Sequence, residues 1–222
     1  MRGPIAIDWR ESSGSSGAIG PFGVCGSHRK KTLKADIQVE RLIVTSLYRA
    51  LEEQAPEEME VFRRWFDPGN RQTQFHVAPL IGAVGYLRRK PDLYERVIET
   101  AGTSASARAF ASLSQFERRL LKSMPRFGRI RLLRHLLQNG LRAIHKDARV
   151  VVTQAEDGLR IQVENSVFCL TPADESTAVT RCHFYSWLLK GLLVQAQIPC
   201  ESVVEVECKA QGAGACTFEV FA

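Results

Sequence analysis

The segment Glu205-Val206-Glu207-Cys208-Lys209-Ala210-Gln211-Gly212-Ala213-Gly214-Ala215-Cys216 places a glycine-bearing turn between two cysteines. A hairpin that folds at Gly212–Gly214 brings these two thiols side by side. Cys182 stands upstream, just before an apolar helical run. Tetrahedral zinc needs four such ligands at about 2.0–2.3 Å. The segment therefore predicts a metal site in the last third of the chain.

The residues around this hairpin predict a small sheet. Alternating apolar and polar residues indicate strands at 149–154, 159–164, 202–209 and 216–221. The turn Glu156-Asp157-Gly158 joins the first two strands, and an apolar helix over 180–197 separates the two pairs. Because short hairpins join antiparallel strands, we expect a β-β-α-β-β antiparallel module.

The residues before this module predict helices. Apolar stripes at helical spacing indicate segments at 37–54, 56–66, 76–90, 91–100, 104–123 and 127–145. Asp36 is expected to cap the first helix, and Gly102 is expected to end the fourth. The fold class is α+β, as one domain over 36–222 with a helical part (36–147) and a sheet-containing part (148–222). Residues 1–35 are rich in Gly, Ser and Pro, and we expect a disordered tail.

Composition points to a cytoplasmic protein. The chain has 222 residues, of which 45% are hydrophobic and 24% charged. No apolar stretch approaches the ~20 residues of a membrane span, and the first residues lack the pattern of a secretory signal. In a reducing compartment, cysteines are thiols or metal ligands rather than disulfides. Taken singly, Cys25, Cys169 and Cys200 are expected to be small buried hydrophobic residues.

Charge is distributed unevenly along the chain. Ten Lys or Arg residues but only one acid, Asp147, lie between Arg118 and Arg149. The basic helix is expected to form a solvated surface that pairs with the acidic carboxy-terminal part. Alternatively, it contacts a protein partner or an acidic membrane surface, and in the second case the protein would be membrane-peripheral. Few aromatic residues alternate with its arginines, so we expect no nucleic-acid binding.

The carboxy-terminal motif resembles the 4-vinyl reductase domain family. The likeness rests on Glu205-x-x-Cys208, Gly212 and Cys216-x-Phe218-x-Val220, after a helix that begins near Cys182. It covers about residues 100–222. The resemblance implies a fold similar to the subunits of the TRAPP vesicle-tethering complex. It also implies a structural zinc whose ligands are Cys182, Glu205, Cys208 and Cys216.

The position of Glu205 needs an explanation within that ligand set. Glu205 stands three residues before Cys208, so on a regular strand the two side chains point to opposite faces. Glu205 reaches the site only if a β-bulge turns it. Glu207 and Cys200 remain alternatives for the fourth ligand.

The resemblance further implies a domain that binds a hydrophobic small molecule, a tetrapyrrole or an aromatic compound, in chlorophyll biosynthesis or photosystem assembly. The candidate wall residues of its pocket are Phe168, Phe184, Tyr185, Trp187 and Leu188. One alternative is an enzyme that reduces the vinyl group of a chlorophyll precursor with an external reductant, because no dinucleotide fingerprint is present. Another is a protein-assembly factor, and a homodimer stays open.

Overall fold

A computed structural model of the chain describes residues 38–63, 74–144, 148–155, 158–170 and 182–221. All of them belong to one compact unit, Leu33–Ala222. The tail predicted over residues 1–35 lies outside the described residues. So does part of the predicted helix over 56–66, which is described only as a 3₁₀ turn at Pro56–Glu58 and a short helix α2 at Met59–Arg63.

Helices dominate the first two thirds of the described chain. They follow in the order α1 (Arg41–Gln54), α2, α3 (Val77–Arg88), α4 (Pro91–Ala111), α5 (Gln115–Ser123) and α6 (Arg126–Ile144). Two short strands, β1 (Gln38–Glu40) and β2 (Gln74–His76), pair antiparallel. The first helix therefore begins at Arg41 and not after Asp36. The residues just before it are extended because Val39, fully buried, pairs with Phe75 on β2.

The break expected at Gly102 is absent, and this prediction was wrong. The helix α4 runs through Gly102 to Ala111, and the next helix is capped by Ser114. Ser114 Oγ accepts a hydrogen bond from the backbone N–H of Glu117 (3.2 Å), and Glu117 accepts one from the backbone N–H of Ser114 (2.8 Å). This reciprocal pair satisfies two free donors at the helix start.

The carboxy-terminal module has the predicted β-β-α-β-β order. It contains β3 (Arg149–Ala155), β4 (Gly158–Glu164), α7 (His183–Gln195), β5 (Ser202–Glu207) and β6 (Cys216–Phe221). The four strands form one antiparallel sheet in the order β3-β4-β6-β5. The mixed helical and antiparallel architecture confirms the α+β class.

The core joins the helices to one face of this sheet. The helix α4 packs against both α1 and α7, and α7 also contacts β5. Ile161 on β4 pairs with Phe218 on β6, and both side chains are fully buried. In the part of the chain that the structure describes, no helix has the length and apolarity needed to cross a bilayer.

Candidate metal centre

Four cysteine sulfurs converge where the end of β5, the start of β6, the start of α7 and a 3₁₀ turn meet. Cys208 follows β5, Cys216 opens β6, Cys182 caps α7, and Cys169 lies in the turn Val167–Leu170. Cys182, Cys208 and Cys216 are buried, and Cys169 is partly buried. All four Sγ atoms lie within 4.8 Å of one another. The group is close enough to bind a metal ion.

The sulfur separations that involve Cys169 or Cys182, from 3.1 to 3.9 Å, are too long for a disulfide and lie at or below the spacing of a tetrahedral thiolate site. The Sγ of Cys169 lies 3.1 Å from the Sγ atoms of both Cys182 and Cys216, and 3.9 Å from that of Cys208. The Sγ of Cys182 lies 3.6 Å from that of Cys216 and 3.9 Å from that of Cys208. A disulfide needs about 2.05 Å, whereas four sulfurs at about 2.3 Å from one zinc lie about 3.8 Å apart.

Glu205 also reaches this cluster, because a β-bulge lies where one is needed. The register of β5 against β6 shifts between Glu205 and Glu207. The shift leaves Glu205 only 7% exposed, whereas Val204 and Val206 on the same strand are exposed. Its Oε2 accepts a hydrogen bond from the backbone N–H of Cys182. Its Oε1 is buried and has no hydrogen-bond partner among the described residues.

The electrostatics of the cluster favour a cation. Close contact with the other thiols raises the pKa of Cys182, while the same contacts lower the pKa of Cys169. Burial, together with the charge of Cys208, raises the pKa of Glu205 to about 8. Several acids packed this closely cannot all ionise without a positive charge among them. A divalent ion held by these residues would supply that charge and favour the thiolate forms.

The structure thus brings together the sequence-predicted residues Cys182, Cys208 and Cys216, and it places the Glu205 carboxylate beside them. It adds Cys169, which the sequence suggested was an ordinary buried residue. Cys200, an alternative ligand, lies apart, with its thiol 3.7 Å from the carbonyl oxygen of Ser202. The carboxylate of Glu207, the other alternative, accepts a hydrogen bond from the hydroxyl of Thr217 (2.8 Å).

Cys169 is brought to the cluster by a contact between residues that are distant in the sequence. Arg88, a buried residue of α3, donates a hydrogen bond from Nη2 to the carbonyl oxygen of Phe168 (3.2 Å). The contact holds the turn that carries the next residue, Cys169. Because Arg88 and Phe168 are far apart in the sequence, local spacing gives no indication of it.

Three of the five candidate wall residues, Phe168, Phe184 and Tyr185, form an aromatic layer beside the thiols. Phe168 stacks on Phe184 with ring centroids 4.7 Å apart, and the Tyr185 ring lies edge-on to both. These three residues and Leu188 are buried, and Trp187 is partly buried. Burial raises the pKa of the Tyr185 hydroxyl, so the phenol is neutral. Phe168 directly precedes Cys169, and Phe184 follows Cys182 by two residues. The aromatic layer and the thiol cluster are therefore carried by the same turn and the same helix.

The chain matches no protein-family model, and a search of curated proteins also finds no match.

Proposed function

We propose that the chain is a binding domain for a hydrophobic small molecule, with a structural zinc that fastens its carboxy-terminal hairpin to α7. The observation that carries the proposal is the convergence of four sulfurs from separate elements on one point. Thiolates are soft donors that suit zinc, and four of them close the coordination shell. A closed shell leaves no open position for a substrate, so the metal's part is structural.

The ligand set has three fixed members and one contested position. Cys182, Cys208 and Cys216 supply three thiolates. Cys169 and Glu205 compete for the fourth position, and the geometry favours Cys169. Its Sγ already lies among the other three, whereas one oxygen of Glu205 is held by the N–H of Cys182. Glu205 then acts from beside the metal, where such groups orient the ligands.

The hydrophobic ligand is assigned to the neighbourhood of the aromatic layer, and its candidate contacts are Phe168, Phe184, Tyr185, Trp187 and Leu188. Two supports favour a tetrapyrrole or another aromatic compound: the resemblance to the 4-vinyl reductase domain and the aromatic character of the layer. Flat ring systems stack on aromatic side chains in offset or edge-on arrangements. The residues of the aromatic layer lie in the turn that carries Cys169 and on α7. Zinc binding to Cys169 and Cys182 would therefore fix the position of the layer.

The metal part of the proposal is tested on the full chain, purified without chelator. We expect about one zinc per chain by elemental analysis, and a lower melting temperature after zinc is removed with EDTA. The Cys208→Ser/Cys216→Ser variant should bind no zinc, and Cys200→Ser should bind as much as the wild type. If the purified protein contains no metal and added zinc does not change its melting temperature, the proposed zinc site is excluded.

The ligand part needs its own measurement. Zinc-loaded protein is titrated with protoporphyrin, chlorophyllide and simple phenols while absorbance and melting temperature are followed. We expect a saturable spectral shift or a higher melting temperature with at least one of these probes. If zinc is present and no probe changes either quantity, the binding proposal is wrong while the metal centre stands.

A further inference from the structure

A cavity lies between α1 and α4, and none of its lining residues belongs to the thiol cluster. Its volume is about 600 Å³. Most of its lining comes from one face of α1, and the rest comes from α4: Arg41, Leu42, Thr45, Tyr48, Arg49 and Glu52 of the first helix, with Arg108 of the second. Cavities of roughly 300–1,000 Å³ are typical of small-molecule sites.

Arg108 is held in a fixed orientation at this cavity. Its Nη1 donates a hydrogen bond to the hydroxyl of Thr45 (2.7 Å), and that hydroxyl donates to the carbonyl oxygen of Arg41 (2.9 Å). Arg108 is half-buried, and its hydrogen bond to Thr45 orients the guanidinium. The remaining N–H groups of a guanidinium oriented in this way are ready to receive an acceptor.

Two of the arginines in the lining, Arg49 and Arg108, carry charges that lie near one another. Among the described residues, no carboxylate forms an ion pair with Arg49 or Arg108. Burial lowers the pKa of Arg108, and the nearby charge of Arg49 lowers it further. Glu52 is the one acid in the lining, against three arginines. The fold therefore holds two guanidinium groups near one another at a cost that an anion would relieve.

We propose that this cavity binds a small molecule that carries a carboxylate or phosphate on an apolar body. The planar donor forks of Arg49 and Arg108 suit both oxyanions, which guanidinium groups bind with two parallel hydrogen bonds. Leu42 and the ring of Tyr48 give the lining an apolar surface beside the cations. The site does not depend on the metal centre.

The test is calorimetric titration of the full chain with four probes: inorganic phosphate, phenyl phosphate, benzoate and the neutral benzyl alcohol. We expect phenyl phosphate or benzoate to bind and benzyl alcohol not to bind. The stronger of the two anions identifies the oxyanion. Binding of phenyl phosphate more tightly than inorganic phosphate would support the apolar body, and equal binding would overturn that part of the proposal.

A pair of variants on one helix locates the site. Arg108→Gln removes the charge and keeps an amide that can bond to Thr45, and it should weaken anion binding about tenfold or more. Arg96→Gln removes the same charge from an exposed position of α4 outside the cavity and should bind like the wild type. Equal affinity in both variants, or no anion binding by the wild type, would overturn the proposal.

Arg49→Gln tests the same site in case the Arg108 variant fails to fold. Arg49 is exposed, so its replacement should leave the melting temperature of the free protein unchanged. It should still weaken anion binding about tenfold. An Arg49 variant that folds and binds the anion as tightly as Arg96→Gln would contradict the assignment of the two guanidinium groups.

Discussion

The backbone N–H of Cys182 donates a hydrogen bond to Oε2 of Glu205. The contact joins the first residue before α7 to the edge strand β5. It exists because the register shift between Glu205 and Glu207 turns the carboxylate inward. The same N–H lies at the positive end of the helix, where a negative group is stabilised. Glu205 therefore supports the position of Cys182 even when the carboxylate does not bind the metal itself.

The variant Glu205→Gln separates the two roles open to this side chain. The amide oxygen can still accept the hydrogen bond from Cys182, but the negative charge that the carboxylate would carry beside a bound cation is lost. If Glu205 acts from beside the metal, zinc affinity should fall by about 10–100-fold, the usual cost of losing an outer partner. The measurement is a competition titration with a zinc chelator of known affinity. Glu207→Gln, on the same strand, is the matched control and should match the wild type.

Cys169→Ser tests the fourth ligand directly. With Co²⁺ in place of zinc, each cobalt–sulfur bond contributes to the near-ultraviolet charge-transfer absorption. Loss of one thiolate of the four should lower this absorption by about a quarter. Zinc affinity should fall by more than it does in Glu205→Gln. Cys200→Ser is the control, because Cys200 has the same chemistry and lies outside the cluster.

The opposite ranking would assign the fourth position to the carboxylate. In that case Cys169→Ser would keep the full cobalt absorption, and Glu205→Gln would show the larger loss of zinc affinity. The two variants thus give opposite orders for the two ligand sets, and neither order depends on the identity of any organic ligand.

The parts of the fold that follow local rules could be predicted from the sequence. The alternation of apolar residues predicts all four strands of the larger sheet, and the thiols of Cys208 and Cys216 lie within 4.8 Å of each other across the glycine-bearing turn. Cys182 stands at the start of α7, as its position before an apolar helical run predicted. Strand parity also predicts that Glu205 and Cys208 face opposite sides of a regular strand, so that Glu205 needs a β-bulge to reach the cluster.

The features that were missed depend on contacts between distant residues. Cys169 enters the cluster through a turn held by Arg88, and no spacing along the chain encodes that contact. The sequence predicts a helix end at Gly102 because glycine commonly ends helices. In the structure its reason is steric: a Cβ at Gly102 would lie 2.6 Å from the Cβ of Trp187 on α7.

Gly102→Ala should therefore destabilise the protein, although alanine is the better helix former. The added methyl group also meets the carbonyl oxygen of Phe184 at 2.9 Å, and a backbone atom cannot turn aside as a flexible side chain can. Overpacking of this kind costs about 1–3 kcal/mol. The measurement is the free energy of unfolding from denaturant titration.

Gly128→Ala on α6 provides the control for this helix substitution. The nearest atom to a Cβ there would be the terminal methyl carbon of Met124, at 2.9 Å, and that group can rotate away; the other two neighbours, also in Met124, lie at 3.5 and 3.6 Å. The free energy of unfolding of the Gly128→Ala variant should stay the same or rise by up to about 1 kcal/mol, because alanine has the higher helix propensity. Equal behaviour of the two variants would show that close packing of α4 on α7 does not explain Gly102.

The last prediction concerns pH and the contacts of Glu58. Its carboxylate accepts hydrogen bonds from Lys90 and, at 2.6 Å, from the hydroxyl of Tyr86, which ties the 3₁₀ turn before α2 to the end of α3. These contacts, that with Lys90 first, lower the pKa of Glu58 below its ordinary value of 4.5. A depressed carboxyl pKa stabilises the folded state above the unfolded pKa, and this stabilisation is lost as the pH falls through the lower folded value.

Glu58→Gln should consequently lower the melting temperature at pH 7, with the difference from the wild type shrinking as the pH falls below about 4.5. Glu57→Gln is the control, because the neighbouring Glu57 is exposed. The check is a series of thermal unfolding curves from pH 7 to pH 3 for the three proteins. A difference between Glu58→Gln and the wild type that stays constant over this range would mean that the ionised carboxylate is not what stabilises the contact, and that the loss comes from packing.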